Sequence, residues 1–275
     1  MGRDCSLAMV SCSLVVPRRH AAWILAGCLL RTGVAQAEEL HSRPVDRRFT
    51  FVEETLHGAP PGHFEMENWG TWSHGSRAVD DLDRFDFKHE VEYGISEGVH
   101  AALDLAEWHV SDERGDWHTR FDVVGGELKF RFTDPRTDGL GFAFKTELGV
   151  GSRELEWENV LIVDKIVGRW DVAYNLVVEA EAEGERSFRF EEAELGGAQA
   201  VGVSYEATPC WFFGGEIVHQ LPKEWSWGER QSFFVGPNVA VRGDEWALTT
   251  TAMFLADGVA DAPRFQLRLL LEFDF

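Results

Sequence analysis

Carboxylates in this sequence alternate with apolar side chains, so the two kinds of residue fall on opposite faces of extended segments. In the segment from Arg84 to Ser96, for example, Asp86, Glu90 and Glu92 alternate with aromatic and aliphatic residues. Ionised carboxylates that surround water attract cations and polar solutes. We therefore predict a charged inner wall that includes Asp86, Lys88, Glu90, Glu92, Lys145, Glu147, Glu179, Glu181, Arg268 and Asp274.

The same residue types admit two other functions. Cross-strand salt bridges could fill a narrow interior, which would leave a structural or surface protein without transport. A hydrolase would need a serine beside a histidine. The candidates are Ser204, Ser232, His89, His100, His109, His118 and His219. Because the sequence contains no Gly-x-Ser-x-Gly motif, we predict that the protein is not an enzyme.

We predict neither a metal site nor a cofactor. The strongest metal candidate is the acidic stretch from Asp80 to Asp83, whose carboxylates are of the type that binds Ca²⁺. It lacks the spacing of an EF-hand loop, and a run of acids in a loop is usually solvated. The sequence also has no Cys/His cluster with zinc spacing.

The charge balance and the first residues restrict the location of the chain. A net charge of -21 repels phosphates, so we exclude nucleic acid as a partner. A basic stretch at residues 17–20 precedes a short apolar run and the small-x-small site at Ala37. This order predicts a signal peptide over residues 1–37, cleaved after Ala37. Lipidation of Cys28, which follows Leu-Ala-Gly, is an open alternative.

From residue 64 onward the alternation has the period of two that is typical of β-strands, and helical periodicity is nearly absent. Many segments reach the length of roughly 9–11 residues that a tilted strand needs to cross a bilayer. We predict about 12 strands, at 64–72, 84–96, 98–110, 118–132, 139–151, 154–166, 169–183, 187–205, 210–221, 231–243, 245–256 and 264–275.

The connections and aromatic residues indicate a membrane barrel. Short connections alternate with longer, more charged ones, and tryptophan and tyrosine gather near both ends of the strands, as at the two interfaces of a bilayer. Because backbone groups cannot stay unpaired in hydrocarbon, the sheet must close. We predict an all-β, transmembrane, antiparallel up-and-down barrel over residues 64–275, with its apolar face toward lipid.

Residues 38–63 contain three prolines and read as a polar lead-in on the periplasmic side. We expect a disordered tail here, since chain ends are poorly ordered unless they are tied down. The alternative is a plug that enters the lumen.

The last strand resembles the C-terminal insertion signal of outer-membrane proteins, in which a final aromatic residue follows alternating apolar residues. The matching positions are Leu267, Leu269, Leu271, Phe273 and Phe275. The resemblance implies recognition by the barrel-assembly machinery. The stretches 64–72, 83–90 and 235–239 are also similar to a group of uncharacterised, porin-like outer-membrane barrels. That resemblance implies no activity and no functional residue.

Taken together, these patterns predict a protein of the bacterial outer membrane in contact with its lipid. Its expected role is a porin-like channel for small polar or cationic solutes. A surface barrel without transport is the first alternative, and an outer-membrane hydrolase is the second.

Overall fold

The computed structural model describes residues 47–76, 83–113, 116–184, 192–221, 231–260 and 262–275. All regular structure in these ranges is β-strand. The strands are β1 (Phe64–His74), β2 (Asp83–Ser96), β3 (Val99–Glu113), β4 (Asp116–Phe121), β5 (Val123–Thr133), β6 (Gly141–Gly151), β7 (Glu154–Val167), β8 (Trp170–Glu183), β9 (Glu192–Thr208), β10 (Trp211–Leu221), β11 (Ser232–Arg242), β12 (Trp246–Asp257) and β13 (Phe265–Asp274). No helix in the described part of the chain is long and apolar enough to span a bilayer.

The strands form one closed antiparallel sheet. Apart from β4 and β5, strands that follow each other along the chain are neighbours, and β13 pairs with β1 to complete the barrel. At this seam Glu65 faces Asp274 at one end and His74 faces Phe265 at the other. Closure gives every strand except the short β4 two hydrogen-bonded neighbours, as hydrocarbon requires. The predicted up-and-down barrel of about 12 strands is confirmed.

One of the twelve strand positions is shared by β4 and β5. The first part of β3 pairs with β5, and its last part pairs with β4. Between them, the N–H of Asp122 donates to the carbonyl oxygen of Glu107, and the Asp122 carboxylate lies 2.7 Å from Nδ1 of His109. The prediction of one continuous strand over 118–132 is wrong in this respect, because a side-chain contact of Asp122 replaces part of the regular ladder.

The two faces of the barrel differ in polarity. Apolar side chains such as Leu103, Phe213 and Val235 are exposed on the outside, where lipid would cover them. Lys129 and Glu216 are each only 1 % exposed, although both are charged. This arrangement is the inverse of a soluble barrel, which packs its apolar face inward.

The two ends of the barrel also differ. At one end, called the short-turn end below, residues 97–98, 168–169 and 209–210 connect consecutive strands. Longer connections cluster at the opposite end, called the loop end, although residues 152–153 form a short one there. Both Phe64 and Phe275 lie at the short-turn end, where their backbones are hydrogen-bonded to each other.

Candidate functional site

Residues 47–63 are called the plug below. Residues 47–60 lie inside the barrel, and residues 61–63 are exposed. Phe49, Val52 and Ala59 are fully buried, and the segment forms no strand beyond one isolated bridge between Pro61 and Gly94. The expectation of a disordered tail is therefore wrong for residues 47–60. The alternative, a segment that enters the lumen, describes them correctly, and the periplasmic side of the lead-in stays a prediction.

Side chains of the barrel wall accept hydrogen bonds from the backbone of the plug. An irregular segment has no ladder of its own, so its buried N–H groups need other acceptors. Wall carboxylates accept hydrogen bonds from these groups at N···O distances from 2.6 to 3.1 Å. The pairs are Glu216 with Thr50 and Phe51, Asp164 with Thr55, and Glu92 with Ala59. Some of the inward acids thus hold the plug.

An apolar cluster also holds the plug. Phe49 and Val52 pack on wall residues of β8 to β12, among them Phe234 and Met253. The Phe49 ring lies so close to the backbone of Gly202 that a Cβ atom there would come within 2.7 Å of the ring. The inner wall is therefore apolar along one side, which the alternation of acids did not predict.

The plug also reaches wall residues near the short-turn end of the lumen, whereas the apolar cluster extends toward the loop end. Asp164 lies near the end of β7, and Asp171 lies at the start of β8, on either side of the turn at 168–169. Thr55 bonds Asp164, and Arg48 lies 3.3 Å from Asp171.

Glu54 of the plug lies in an unfavourable position for an ionised carboxylate. Its burial, together with the charge of Asp171 on the wall, raises its pKa to about 8 despite the opposing charge of Arg48. Oε2 of Glu54 accepts a hydrogen bond from the N–H of Arg48 at 2.7 Å. Lys129 donates to the backbone oxygens of Glu54 and His57 at 2.8 and 3.0 Å. Protonation of Glu54 therefore favours the docked plug.

A cavity of about 390 Å³, called the vestibule below, lies between the plug and the loop end. Its floor is formed by plug residues, including Thr50 and Phe51. Eleven carboxylates line it: Glu53, Glu67, Asp86, Glu90, Glu92, Glu107, Glu127, Glu147, Glu156, Glu158 and Glu179. The lysines and arginines number five: Arg47, Lys88, Lys129, Lys145 and Arg268. The excess of acids makes the vestibule attractive to cations.

Four glutamates form a continuous row across the vestibule wall. Glu127 of β5 faces Glu147 of β6, which faces Glu158 of β7, which faces Glu179 of β8. Like charges directly opposite each other on neighbouring strands are destabilising. The row is thus costly for the fold unless cations lie beside it, and we call it the glutamate row below.

Two lysines offset part of this charge. Nζ of Lys145 lies 3.1 Å from Glu127, 3.4 Å from Glu147 and 3.6 Å from Glu158. Nζ of Lys88 lies 2.7 Å from Glu147 and also contacts three further carboxylates. Each lysine is thus shared among several acids, and acidic side chains outnumber basic ones on the wall of the vestibule.

Eight of the ten residues predicted for the charged wall line the vestibule. They are Asp86, Lys88, Glu90, Glu92, Lys145, Glu147, Glu179 and Arg268. Glu181 is buried beside Glu154 and Glu156, and Asp274 faces Glu65 at the end of the seam. The plug residues on the floor were missed. The sequence contained a signal for an inward segment, since the basic pair at residues 47–48 precedes two alternating phenylalanines in an acidic chain.

Other predicted residues lie on the surface or outside the described ranges. Leu269, Phe273 and Phe275 are exposed on the outside of the barrel, and their role in insertion stays a prediction. The signal peptide, Ala37 and Cys28 fall outside the described residues. Residues 80–82 of the acidic stretch also fall outside the described residues. Asp83 is described, and its carboxylate is bonded to Trp72 and His74.

Four of the five histidines weighed as hydrolase bases are bonded to groups other than Ser204 and Ser232. The pairs are His89 with Asn68, His100 with Glu92, His109 with Asp122, and His219 with Gln231.

Comparison with known proteins gives a family and a fold. A family model described as a family of unknown function (DUF6662) matches residues 46–266. No curated protein matches the sequence. The NanC porin is similar in structure, with a TM-score of 0.51, 10% identity, and coverage of 76% of this chain and 100% of the porin. The predicted resemblance to uncharacterised outer-membrane barrels is confirmed.

Two further solved structures are similar at lower scores. A KdgM porin in complex with disordered oligogalacturonate has a TM-score of 0.49 at 9% identity, and covers 77% of this chain and 99% of its own. The beta domain of the Bordetella autotransporter BrkA has a TM-score of 0.49 at 11% identity, and covers 78% of this chain and 100% of its own. At such identities the likeness concerns the fold alone.

Proposed function

The chain belongs to a family of unknown function (DUF6662), and we propose that it is a porin-like outer-membrane channel for small polar or cationic solutes. The glutamate row carries this proposal. Rings of acidic side chains give pores their preference for cations, and here four in-register glutamates line a cavity of about 390 Å³. The vestibule collects cations, and the plug restricts their passage through the lumen.

The similarity to porin barrels supports an outer-membrane location for the proposed channel. The outward apolar side chains support it as well, because they suit a lipid environment. The plug favours the second candidate, a surface barrel without transport, since it fills much of the lumen.

Planar-bilayer recording of the refolded full chain tests the proposal. We expect discrete current steps, and a reversal potential in a KCl gradient that indicates preference for K⁺ over Cl⁻. The double variant Glu158→Gln/Glu179→Gln removes two charges from the glutamate row and should lower this preference. The control Glu97→Gln/Glu245→Gln removes two exposed charges at the short-turn end and should leave it unchanged.

Two results would contradict the channel. Absence of current steps from correctly folded protein would support the barrel without transport. Equal cation preference in the row variant and the native protein would show that the glutamate row does not select ions. Heat-modifiable gel mobility establishes in each case that the barrel has folded.

A further inference from the structure

Three carboxylates converge on one buried histidine where the plug meets the barrel seam. Nε2 of His57 lies 2.8 Å from Glu272, 3.1 Å from Glu67 and 3.4 Å from Glu65. All four residues are at most 5 % exposed. One ligand atom from each of the four lies within 4.8 Å of the others.

The register of the seam explains this convergence. Glu65 and Glu67 are two residues apart on β1, so both side chains point to the same, inner face. Glu67 lies directly opposite Glu272 on β13. His57 reaches this group from the plug, seven residues before the start of β1. The first strand, the last strand and the plug therefore each supply part of one cluster.

The hydrogen bonds of the cluster leave some of its carboxylate oxygens without a partner. A single imidazole nitrogen can donate one proton to one acceptor, and here three carboxylates surround it. No hydrogen bond reaches Oε1 of Glu67 or Oε2 of Glu272, although both atoms are buried. An unpartnered buried carboxylate oxygen is costly, so these atoms point to a missing partner.

We propose that His57, Glu65, Glu67 and Glu272 bind one divalent transition-metal ion, such as Zn²⁺ or Mn²⁺. One imidazole and three carboxylates form a mixed nitrogen and oxygen ligand set that suits these ions. Ligand bonds of about 2.1 Å place adjacent ligand atoms about 3.0–3.4 Å apart at octahedral to tetrahedral angles. The observed separations from Nε2, 2.8 to 3.4 Å, are close to this range.

Outer contacts orient the ligands as metal sites require. Nε1 of Trp69 donates to Oε2 of Glu67 at 2.7 Å, which leaves Oε1 for the ion. Lys129 holds the backbone oxygen of His57 at 3.0 Å. The guanidinium of Arg47 is stacked over Trp69 and also contacts Glu53 at 2.8 Å, so it offsets the three carboxylates only in part. A divalent ion supplies further positive charge beside them.

The bound ion would join the plug to both strands of the seam. Its role is structural: it stabilises the docked plug at the point where the barrel closes. This inference does not depend on transport, since a barrel without transport would bind the metal equally well.

Metal binding to the refolded full chain tests the proposal. After removal of metals with a chelator, titration with Zn²⁺ alone should show one tightly bound ion per chain, as measured by calorimetry and by elemental mass spectrometry. His57→Gln and Glu67→Gln each remove a ligand and should weaken binding by more than about 100-fold, because even outer-contact residues contribute about 10–100-fold. Trp69→Phe should weaken it by about 10–100-fold.

His109→Gln is the matched control. His109 is a largely buried histidine of β3, and its ring contacts Asp122, which is not one of the four proposed ligands. This variant should bind Zn²⁺ as the native chain does. Gel mobility identifies any variant that fails to fold, and the three ligand and outer-contact variants test the site separately.

A second readout is tryptic cleavage after Arg47 and Arg48, which the docked plug buries. Zn²⁺ should slow this cleavage in the native chain and in His109→Gln, and should have no effect in Glu67→Gln. Absence of stoichiometric Zn²⁺ and Mn²⁺ binding by the folded native chain would overturn the proposal. Unchanged affinity in both His57→Gln and Glu67→Gln would overturn it as well.

Discussion

Phe49→Ala should release the plug while leaving the barrel intact. The Phe49 ring is fully buried in the apolar cluster of the inner wall and lies against the backbone of Gly202. Truncation of a buried phenylalanine to alanine costs about 3–5 kcal/mol. The strand ladder does not involve Phe49, so this cost falls on docking of the plug. At about 1.4 kcal/mol per tenfold change, the undocked fraction should rise by about two to four orders of magnitude.

Trypsin measures this fraction directly. Arg47 and Arg48 are each 8 % exposed in the docked plug, so cleavage after them requires the plug to leave the wall. When docking is fast relative to cleavage, the cleavage rate follows the population of the undocked state. The rate for Phe49→Ala should therefore exceed that of the native chain by at least about 100-fold. The same variant should spend more time in the conducting state of the proposed channel.

Phe233→Ala is the matched control, because Phe233 is 40 % exposed on the outer face and is not a member of the apolar cluster. Its cleavage rate should equal that of the native chain. If Phe49→Ala is cleaved no faster than Phe233→Ala while its barrel stays heat-modifiable, the apolar cluster does not hold the plug and the reasoning is refuted.

Two further predictions concern docking of the plug. Gly202→Ala should speed tryptic cleavage, because its Cβ would lie 2.7 Å from the Phe49 ring and overpacking costs about 1–3 kcal/mol; Gly126→Ala, whose Cβ would have contacts of 3.6 Å and longer, should not. Docking should also weaken as the pH rises, because the pKa of Glu54 is about 8 in the docked plug against an ordinary 4.5. This contribution is fully present below about pH 4.5 and is lost as the pH rises through 8. The ratio of the native cleavage rate to the rate of Glu54→Gln should increase from pH 6 to 9. A constant ratio would contradict the raised pKa of Glu54 in the docked plug.

The amino-acid sequence by itself determined the strands and the polarity of their faces. Strand side chains alternate with a period of two, so Asp86, Glu90 and Glu92 had to share one face whatever the strand paired with. Since an apolar outer face in lipid forbids unpaired edges, closure followed from the same pattern. Most strand boundaries agree with the structure because turns and charged loops interrupt the alternation. Exceptions include the strand predicted at 118–132, which is divided into β4 and β5, and the strand predicted to end at 205, which continues to Thr208.

Only the tertiary structure decided what lies inside the barrel. The plug has no periodicity, and its partners are far away in the chain: Thr50 bonds Thr251, 201 residues later, and His57 bonds Glu272, 215 residues later. Local sequence patterns cannot predict such pairs, because the paired residues are distant in the chain and meet only when the barrel closes. The sequence alone therefore predicted that the acids point inward. Their division into a glutamate row, acceptors for the plug and a cluster around His57 depends on which strands and which plug residues meet in three dimensions.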